Sequence, residues 1–179
     1  MSTVFETAVI HTQRLRLEPF DPTHAPALNA INNEPQVMKF LSAGEPETIE
    51  DTLAAIARVR HRWESLRFGW WAIIEQASGN VIGAACLQHV ANQQEAELEI
   101  GWRLATSANG KGYATEAGKA AAVYAFNVIG VDHVIAVADQ ENTASHRVMA
   151  RVGMQFRGIE THYDAQCATY VLKAHDFCK

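Results

Sequence analysis

The sequence predicts a single α/β domain, a mixed sheet of about seven strands with helices on both faces. Three observations carry this. Period-two segments and helix-period segments follow one another along the chain. Its 179 residues suffice for one well-buried domain and are too few for two ordinary ones. No internal repeat, low-complexity tract or linker interrupts them.

Residues 1–13 read as an irregular arm. Arg14-Leu15-Arg16-Leu17-Glu18 alternates and stops at Pro19, a first strand. Asp21-Pro22-Thr23-His24 turns into a short helix, Ala25–Asn32, stopped by Asn33-Glu34-Pro35. Gln36–Leu41 reads as one more helical turn and Ser42–Pro46 as a loop. Thr48–Leu66 is the long amphipathic helix. Thr48 is its candidate N-cap, Glu50 and Asp51 suit its first turn, and Ile49, Leu53, Ile56, Val59 and Trp63 form its apolar stripe. Arg58, Arg60, His61 and Arg62 make a solvated face, or a contact for an acidic partner or a phosphate. Gly69–Glu75 and Asn80–Leu87 form a hairpin around Ala77-Ser78-Gly79. In Glu95–Leu104, Ala96, Leu98, Ile100, Trp102 and Leu104 share one face; Glu95, Glu97, Glu99, Gly101 and Arg103 share the other. A glycine loop leads into a helix, Thr115–Ile129, closed by Gly130. Gly118 inside that helix costs roughly 1 kcal/mol against Ala. Val131–Ala138 is the fifth strand. A helix from Asn142 to Gly153 follows, then two strands, Met154–His162 and Ala168–Ala174, around the Tyr163-Asp164-Ala165 turn.

Composition excludes several classes. With 48% hydrophobic and 20% charged residues the chain reads as a soluble globular protein, and a formal net charge of -5 gives no broad reason to bind nucleic acid or an anionic membrane. Cys86, Cys167 and Cys178 are odd in number and form no C-x-x-C, which predicts free thiols and a reducing, cytoplasmic compartment. Met1–Glu6 lacks a basic region followed by an apolar run, so no signal peptide is expected. The most apolar stretch, Ala120–Val131, falls short of the ~20 residues of a membrane span. The eight histidines show no His-x-x-x-His pair and no H-E-x-x-H, so no metal is expected. No G-x-S-x-G elbow supports a serine nucleophile.

The loop Asn109-Gly110-Lys111-Gly112-Tyr113-Ala114-Thr115-Glu116 lies between a strand and a helix. Glycines admit φ > 0 and close approach of a ligand, and a helix start offers unpaired N–H groups to an anion. This reads as an anion cradle, suited to a diphosphate, or as a plain strand-to-helix turn. It is neither a P-loop nor the dinucleotide G-x-G-x-x-G, whose third glycine would fall on Thr115.

Asn109-Gly110-Lys111-Gly112-Tyr113-Ala114 resembles the acyl-CoA loop of the GCN5-related N-acetyltransferases (GNAT), with Asn109 where Gln or Arg is usual. Glu97-Leu98-Glu99-Ile100-Gly101-Trp102-Arg103-Leu104 resembles the strand before that loop in the ribosomal-protein (RimJ/RimL-like) branch. Asn142-Thr143-Ala144-Ser145-His146-Arg147-Val148 with Gly153-Met154 resembles a further motif of that branch. The likeness spans roughly residues 10 to 175 and implies one acyl-CoA N-acyltransferase domain over 1–179, its sheet splayed between the fourth and fifth strands.

The resemblance implies acetyl-CoA as co-substrate, lying in that splay. Its diphosphate would meet the amides from Lys111 to Ala114 at the helix start, with Asn109, Gly110 and Thr115 flanking. Its pantetheine arm would pair with the strand edge at Trp102, Arg103 and Leu104, and Asn142 would bond the arm or cap its helix. Lys111 supplies a point charge or simply faces solvent. An attacking amine must be neutral, whereas a lysine-type ammonium has a pKa of about 10.4 and an α-amine of about 7.7–8.0. A general base helps both. Glu99 matches the family's strand glutamate and Glu97 is second; otherwise both are solvated residues of a half-exposed strand. A backbone N–H near Leu104 would serve the oxyanion. Many relatives protonate the thiolate from a tyrosine where this chain has Met149, which leaves Ser145, or helix-start bonding for Ser145. Cys86, in an apolar strand, is not expected to carry an acyl group. The implied activity is direct acetyl transfer to a primary amine, such as a protein N-terminal α-amine. The alternatives are a small-molecule amine (polyamine, amino sugar or antibiotic), a non-catalytic acyl-CoA sensor, or a nucleotide-binding α/β protein. The chain is expected to be a monomer or homodimer, its acceptor pocket built from Gln36–Leu66 and Tyr163–Gln166.

Overall fold

The computed structural model describes residues 8–40 and 45–177. The readings made above on Met1–Glu6, Leu41–Gly44 and Cys178 fall wholly or partly outside them. Among the described residues one eight-stranded sheet runs β1 (Ile10–His11), β2 (Leu15–Pro19), β3 (Trp70–Glu75), β4 (Val81–His89), β5 (Leu98–Leu104), β6 (His133–Asp139), β8 (Ala165–Lys173), β7 (Gln155–His162). Every neighbouring pair is antiparallel except β5 and β6. The eighth strand is β1, two residues inside the segment expected to be irregular; it pairs with β2 at Ile10–Leu17 and His11–Arg16.

β5 and β6 are parallel and share one registered pair, Glu99 with Ile135. Beyond it the two strands separate, which is the expected splay. Ala105 donates to Ile82 O at 2.9 Å in the register of the β4–β5 ladder. Amide directions alternate along a strand, so the N–H groups of Trp102 and Leu104 point away from β4, into the gap.

The helices are α1 (Ala25–Asn32), α2 (Pro35–Met38), α3 (Ile49–Leu66), α4 (Tyr113–Tyr124), α5 (Thr143–Val152) and α6 (Ala174–Phe177). α3 starts on a full capping box: Thr48 Oγ1 accepts from the Asp51 N–H and the Asp51 carboxylate accepts from the Thr48 N–H. Ile56, Val59 and Trp63 are buried as their spacing requires, but Leu53 is 41% exposed and leaves the predicted stripe. α4 begins two residues earlier than its periodicity suggested and ends five earlier. Ala125–Ile129 then forms a wider turn in which Gly130 and Val131 N–H both reach Ala125 O. Gly130 and Gly153 end their helices at φ 83° and 103°, the left-handed region glycine tolerates.

The sheet carries helices on both faces. Arg103 on one face bonds Asn32 of α1 at 2.7 Å. Trp102 on the other packs under Gly118 of α4: a Cβ on Gly118 would lie 3.0 Å from the Trp102 ring and 3.1 Å from Val152 of α5. That absence of a side chain is why a helix-weakening residue sits in mid-helix. Leu15, Leu17, Trp71, Ile73, Leu87 and Ile100 fill the core, with Trp63 and Tyr124 edge-on to Trp71.

Candidate functional site

The loop before α4 has the geometry of an anion cradle. Gly110 and Gly112 sit at φ 77° and 84°, conformations that favour glycine. Gly112 occupies the N-cap position, and no side chain caps this helix start. The first-turn amides are thus left for solvent or a ligand, the condition for binding phosphate at a helix mouth. Glu116, in the same first turn, would repel an anion, but its charge is committed elsewhere. It accepts from Thr12 Oγ1 at 2.6 Å, Arg14 N at 2.8 Å and Arg14 Nε at 2.7 Å. Burial opposes its ionisation, yet these bonds hold its carboxyl below the ordinary carboxylate range. Arg14 also donates to Lys111 O at 2.8 Å and lies 4.6 Å from the Tyr113 ring. A residue in the β1–β2 connection therefore fixes the loop's shape. Asn109 and Lys111 are exposed, and Thr115 and Ala114 are half-buried at the mouth.

Glu99 lies at the other end of β5, at the pair where the splay begins. It is 6% exposed. Gln88 stands opposite it on β4 and donates Nε2–H to Glu99 Oε1 at 2.7 Å. The Tyr163 hydroxyl donates to the same oxygen. Gln88 is itself held by Trp70, whose Nε1–H donates to Gln88 Oε1 at 2.8 Å, and Arg103 stacks 4.5 Å over the Trp70 ring. Burial pushes the Glu99 carboxyl above its ordinary range, against the lowering effect of the two hydrogen bonds. A carboxylate so tuned holds a proton more readily than a surface one, the property of a general base working nearer neutral pH.

Glu97 is differently placed. Its carboxylate takes Arg157 at 2.7 and 2.9 Å and His133 Nε2 at 2.9 Å, and the Arg157 bonds lead in holding its carboxyl low. It is a structural clamp between the start of β5 and strands β6 and β7, so it is poorly placed to serve as the second candidate base. Trp102 and Arg103 have side chains committed to packing, on Gly118 and Trp70; the Trp102 backbone faces the gap, whereas that of Arg103 faces β4 and is not free for a partner there. Leu104 is buried and its amide faces the gap. Asn142 is the N-cap of α5, its Oδ1 accepting from Ser145 N at 3.1 Å. Ser145 is half-buried, and Met149 is 2% exposed, closed off from the surface. Burial, with Glu99 nearby, drives the Cys86 thiol well above its ordinary pKa, so it is no nucleophile.

Three features escaped the sequence. Gln88 could have been found only from the β4–β5 register. Arg14 and Glu116 meet across a separation of 102 residues. The Tyr163 turn was expected near the acceptor pocket, yet nothing in its sequence signalled that its hydroxyl reaches Glu99.

A glycine-shaped helix mouth, a splayed pair of parallel strands and a buried carboxylate at the root of the splay come together along β5 of one α/β sheet. The model of the acetyltransferase (GNAT) domain family matches residues 14–155, and the chain belongs to that family. It is an N-acetyltransferase of GNAT type. It is 28% identical over 169 residues to the FsC-acetyl coenzyme A-N(2)-transacetylase of Aspergillus fumigatus, covering 90% of this chain and 70% of that one. A GNAT-family acetyltransferase from Bacillus anthracis superposes with a TM-score of 0.76 at 26% identity, covering 91% of this chain and 95% of the other. The ribosomal L7/L12 α-N-protein acetyltransferase RimL, solved with coenzyme A, shares the fold with a TM-score of 0.76 at 17% identity, over 92% of this chain and 97% of its own.

Proposed function

We propose that the chain transfers acetyl from acetyl-CoA directly to a primary amine, with Glu99 as general base and a peptide α-amine as the favoured acceptor. The observation that carries this is the position of Glu99: a buried, hydrogen-bonded carboxylate at the residue where β5 and β6 part. A thioester lying in the gap places its carbonyl carbon beside that carboxylate. Glu99, directly or through a water, takes a proton from the amine; the nitrogen attacks the carbonyl carbon; the C–S bond breaks. The gap-facing N–H of Trp102 supports the oxyanion; that of Leu104, five residues from Glu99 and roughly 16 Å along the strand, is too far from the carboxylate to serve it. Ser145 or a water returns a proton to the departing thiolate, whose ordinary pKa of about 8.5 makes that step undemanding.

The helix mouth supports acetyl-CoA as the donor. Its uncapped amides at Lys111, Gly112, Tyr113 and Ala114 fit a diphosphate, and the Arg14–Glu116 pair offsets the Glu116 charge in the first turn that would oppose it. Buried Cys86 and Cys167, both free, suit a reducing cytoplasm. No described helix is long and apolar enough to cross a membrane.

The test is thiol release from acetyl-CoA across a panel of amines: peptides beginning Ser or Ala, polyamines and amino sugars. Glu99→Gln should lower kcat/KM for the best acceptor by about 10²–10⁴-fold while leaving coenzyme A affinity within twofold. Turnover that survives the substitution would remove Glu99 from the mechanism. Coenzyme A binding without turnover on any amine would favour a sensor.

A further inference from the structure

Glu99, Gly101 and Arg103 alternate along β5 and so share one face of it. That face is open between the two charged residues. Among the described residues, a Cβ built on Gly101 would meet within 4 Å only Cys86 Sγ of β4, at 3.1 Å, and nothing of the helices above. The wall on the β4 side is continuous: Gln88 bonds Glu99, Trp70 bonds Gln88, and the Arg103 guanidinium lies 4.5 Å from the Trp70 ring centre. Cys86, beside Gly101, senses both ends. Burial raises its thiol most, Glu99 adds to that and Arg103 opposes it.

Arg103 is half-buried, with most of its donors unused. Its Nε–H goes to Asn32 Oδ1 at 2.7 Å, and the stack on Trp70 occupies the flat of the guanidinium, not its edge. Among the described residues nothing accepts from its two terminal nitrogens, and no carboxylate lies within ion-pair distance of it, whereas Arg14, Arg16, Arg60 and Arg157 each meet one. Nor are those nitrogens sealed away: among the described residues the buried side-chain atom without a partner is Thr169 Oγ1. Burial works against the Arg103 charge; of the groups that favour it, Cys86 stays a neutral thiol and Glu47 is bonded to Asn32 Nδ2 at 2.5 Å. A planar fork with free donors suits a carboxylate, held by two bonds at once.

We propose that this groove is the acceptor subsite and that it selects peptide α-amines with an acidic side chain at the second or third residue: the amine goes to Glu99 and the acidic carboxylate to the Arg103 fork. The inference rests on the acetyl-transfer reading above and adds the chemical class of the acceptor. Spacing sets that class. Four residues of strand put the Cα atoms of Glu99 and Arg103 about 13 Å apart, and their side chains take up part of that span. A free amino acid holds amine and carboxylate on one carbon and cannot reach both ends. An acidic side chain one or two residues along an extended peptide reaches.

The experiment compares matched acceptors with acetyl-CoA: the amidated peptides Ser-Glu-Ala against Ser-Gln-Ala and Ser-Ala-Glu against Ser-Ala-Gln, and free serine against its amide. Wild-type protein should prefer the acidic member of at least one peptide pair by tenfold or more in kcat/KM, and should show no such preference for free serine. The ratio is read within each protein, so a general loss of rate in a variant does not imitate the effect. Arg103→Gln should erase the preference through KM, Arg103→Lys should keep part of it, and added salt should weaken it. Coenzyme A affinity, measured separately, should stay within twofold for both variants. Equal rates within both peptide pairs, a preference that survives Arg103→Gln, or a preference confined to free serine would overturn the subsite. If no amine is acetylated, the acetyl-transfer reading fails instead, and calorimetric binding of the same peptides to the wild type and Arg103→Gln decides the subsite alone.

Discussion

At the scale of single residues, the proposed base is Glu99, one of whose carboxyl oxygens accepts from both Gln88 and Tyr163. Burial raises its pKa and the two donors lower it, so the working value reflects their balance. Tyr163 sits at φ 53° in the β7–β8 turn, and burial with the Glu99 charge pushes its own hydroxyl up. It therefore stays a donor across the working range. Removing that donor should raise the Glu99 pKa further. As the proposed base, Glu99 would act deprotonated, so the rising limb of kcat/KM against pH should move to higher pH in Tyr163→Phe, and should vanish in Glu99→Gln. An unmoved limb in Tyr163→Phe would show that the hydroxyl does not tune the carboxylate. Glu99 could be singled out in the sequence only through the family motif, because the strand pattern alone reads it as a solvated residue of a half-exposed strand. Tyr163 could not, because a turn residue's reach depends on where two distant strands come to lie.

At the scale of elements, α4 matters most, since its mouth holds the cradle and its body presses on β5. Gly118 lets the helix approach the Trp102 ring, and Trp102 lies on the strand whose edge lines the gap. Gly118→Leu should overpack this contact and cost about 1–3 kcal/mol in a urea titration, despite the better helix propensity of leucine. An unchanged midpoint would mean that α4 can shift away at no cost. The regular elements were readable from periodicity, and the Thr48 cap was readable from its residue types. The exposure of Leu53 was not, because the face of α3 that meets the core is set by its packing partners. Neither was β1, because two residues are too few to show alternation.

At the scale of the molecule, the sheet is one continuous ladder with a single weak joint, and both parts of the site lie along β5 beside it. The helix mouth follows the end of β5 and Glu99 lies near its start, so a ligand spanning the gap meets both. Glu97, His133 and Arg157 tie strands together at the Glu99 end, leaving the other end free to stay open. The splay was foreseeable only through the family likeness: residue patterns give strands, but which neighbours fail to pair is decided in three dimensions. The most direct measurement is a crystal structure of the protein with coenzyme A. The account requires the diphosphate within hydrogen-bond distance of the amides from Lys111 to Ala114, with the thiol directed along β5 toward Glu99. A diphosphate bound elsewhere, or a thiol pointing away from Glu99, would contradict it.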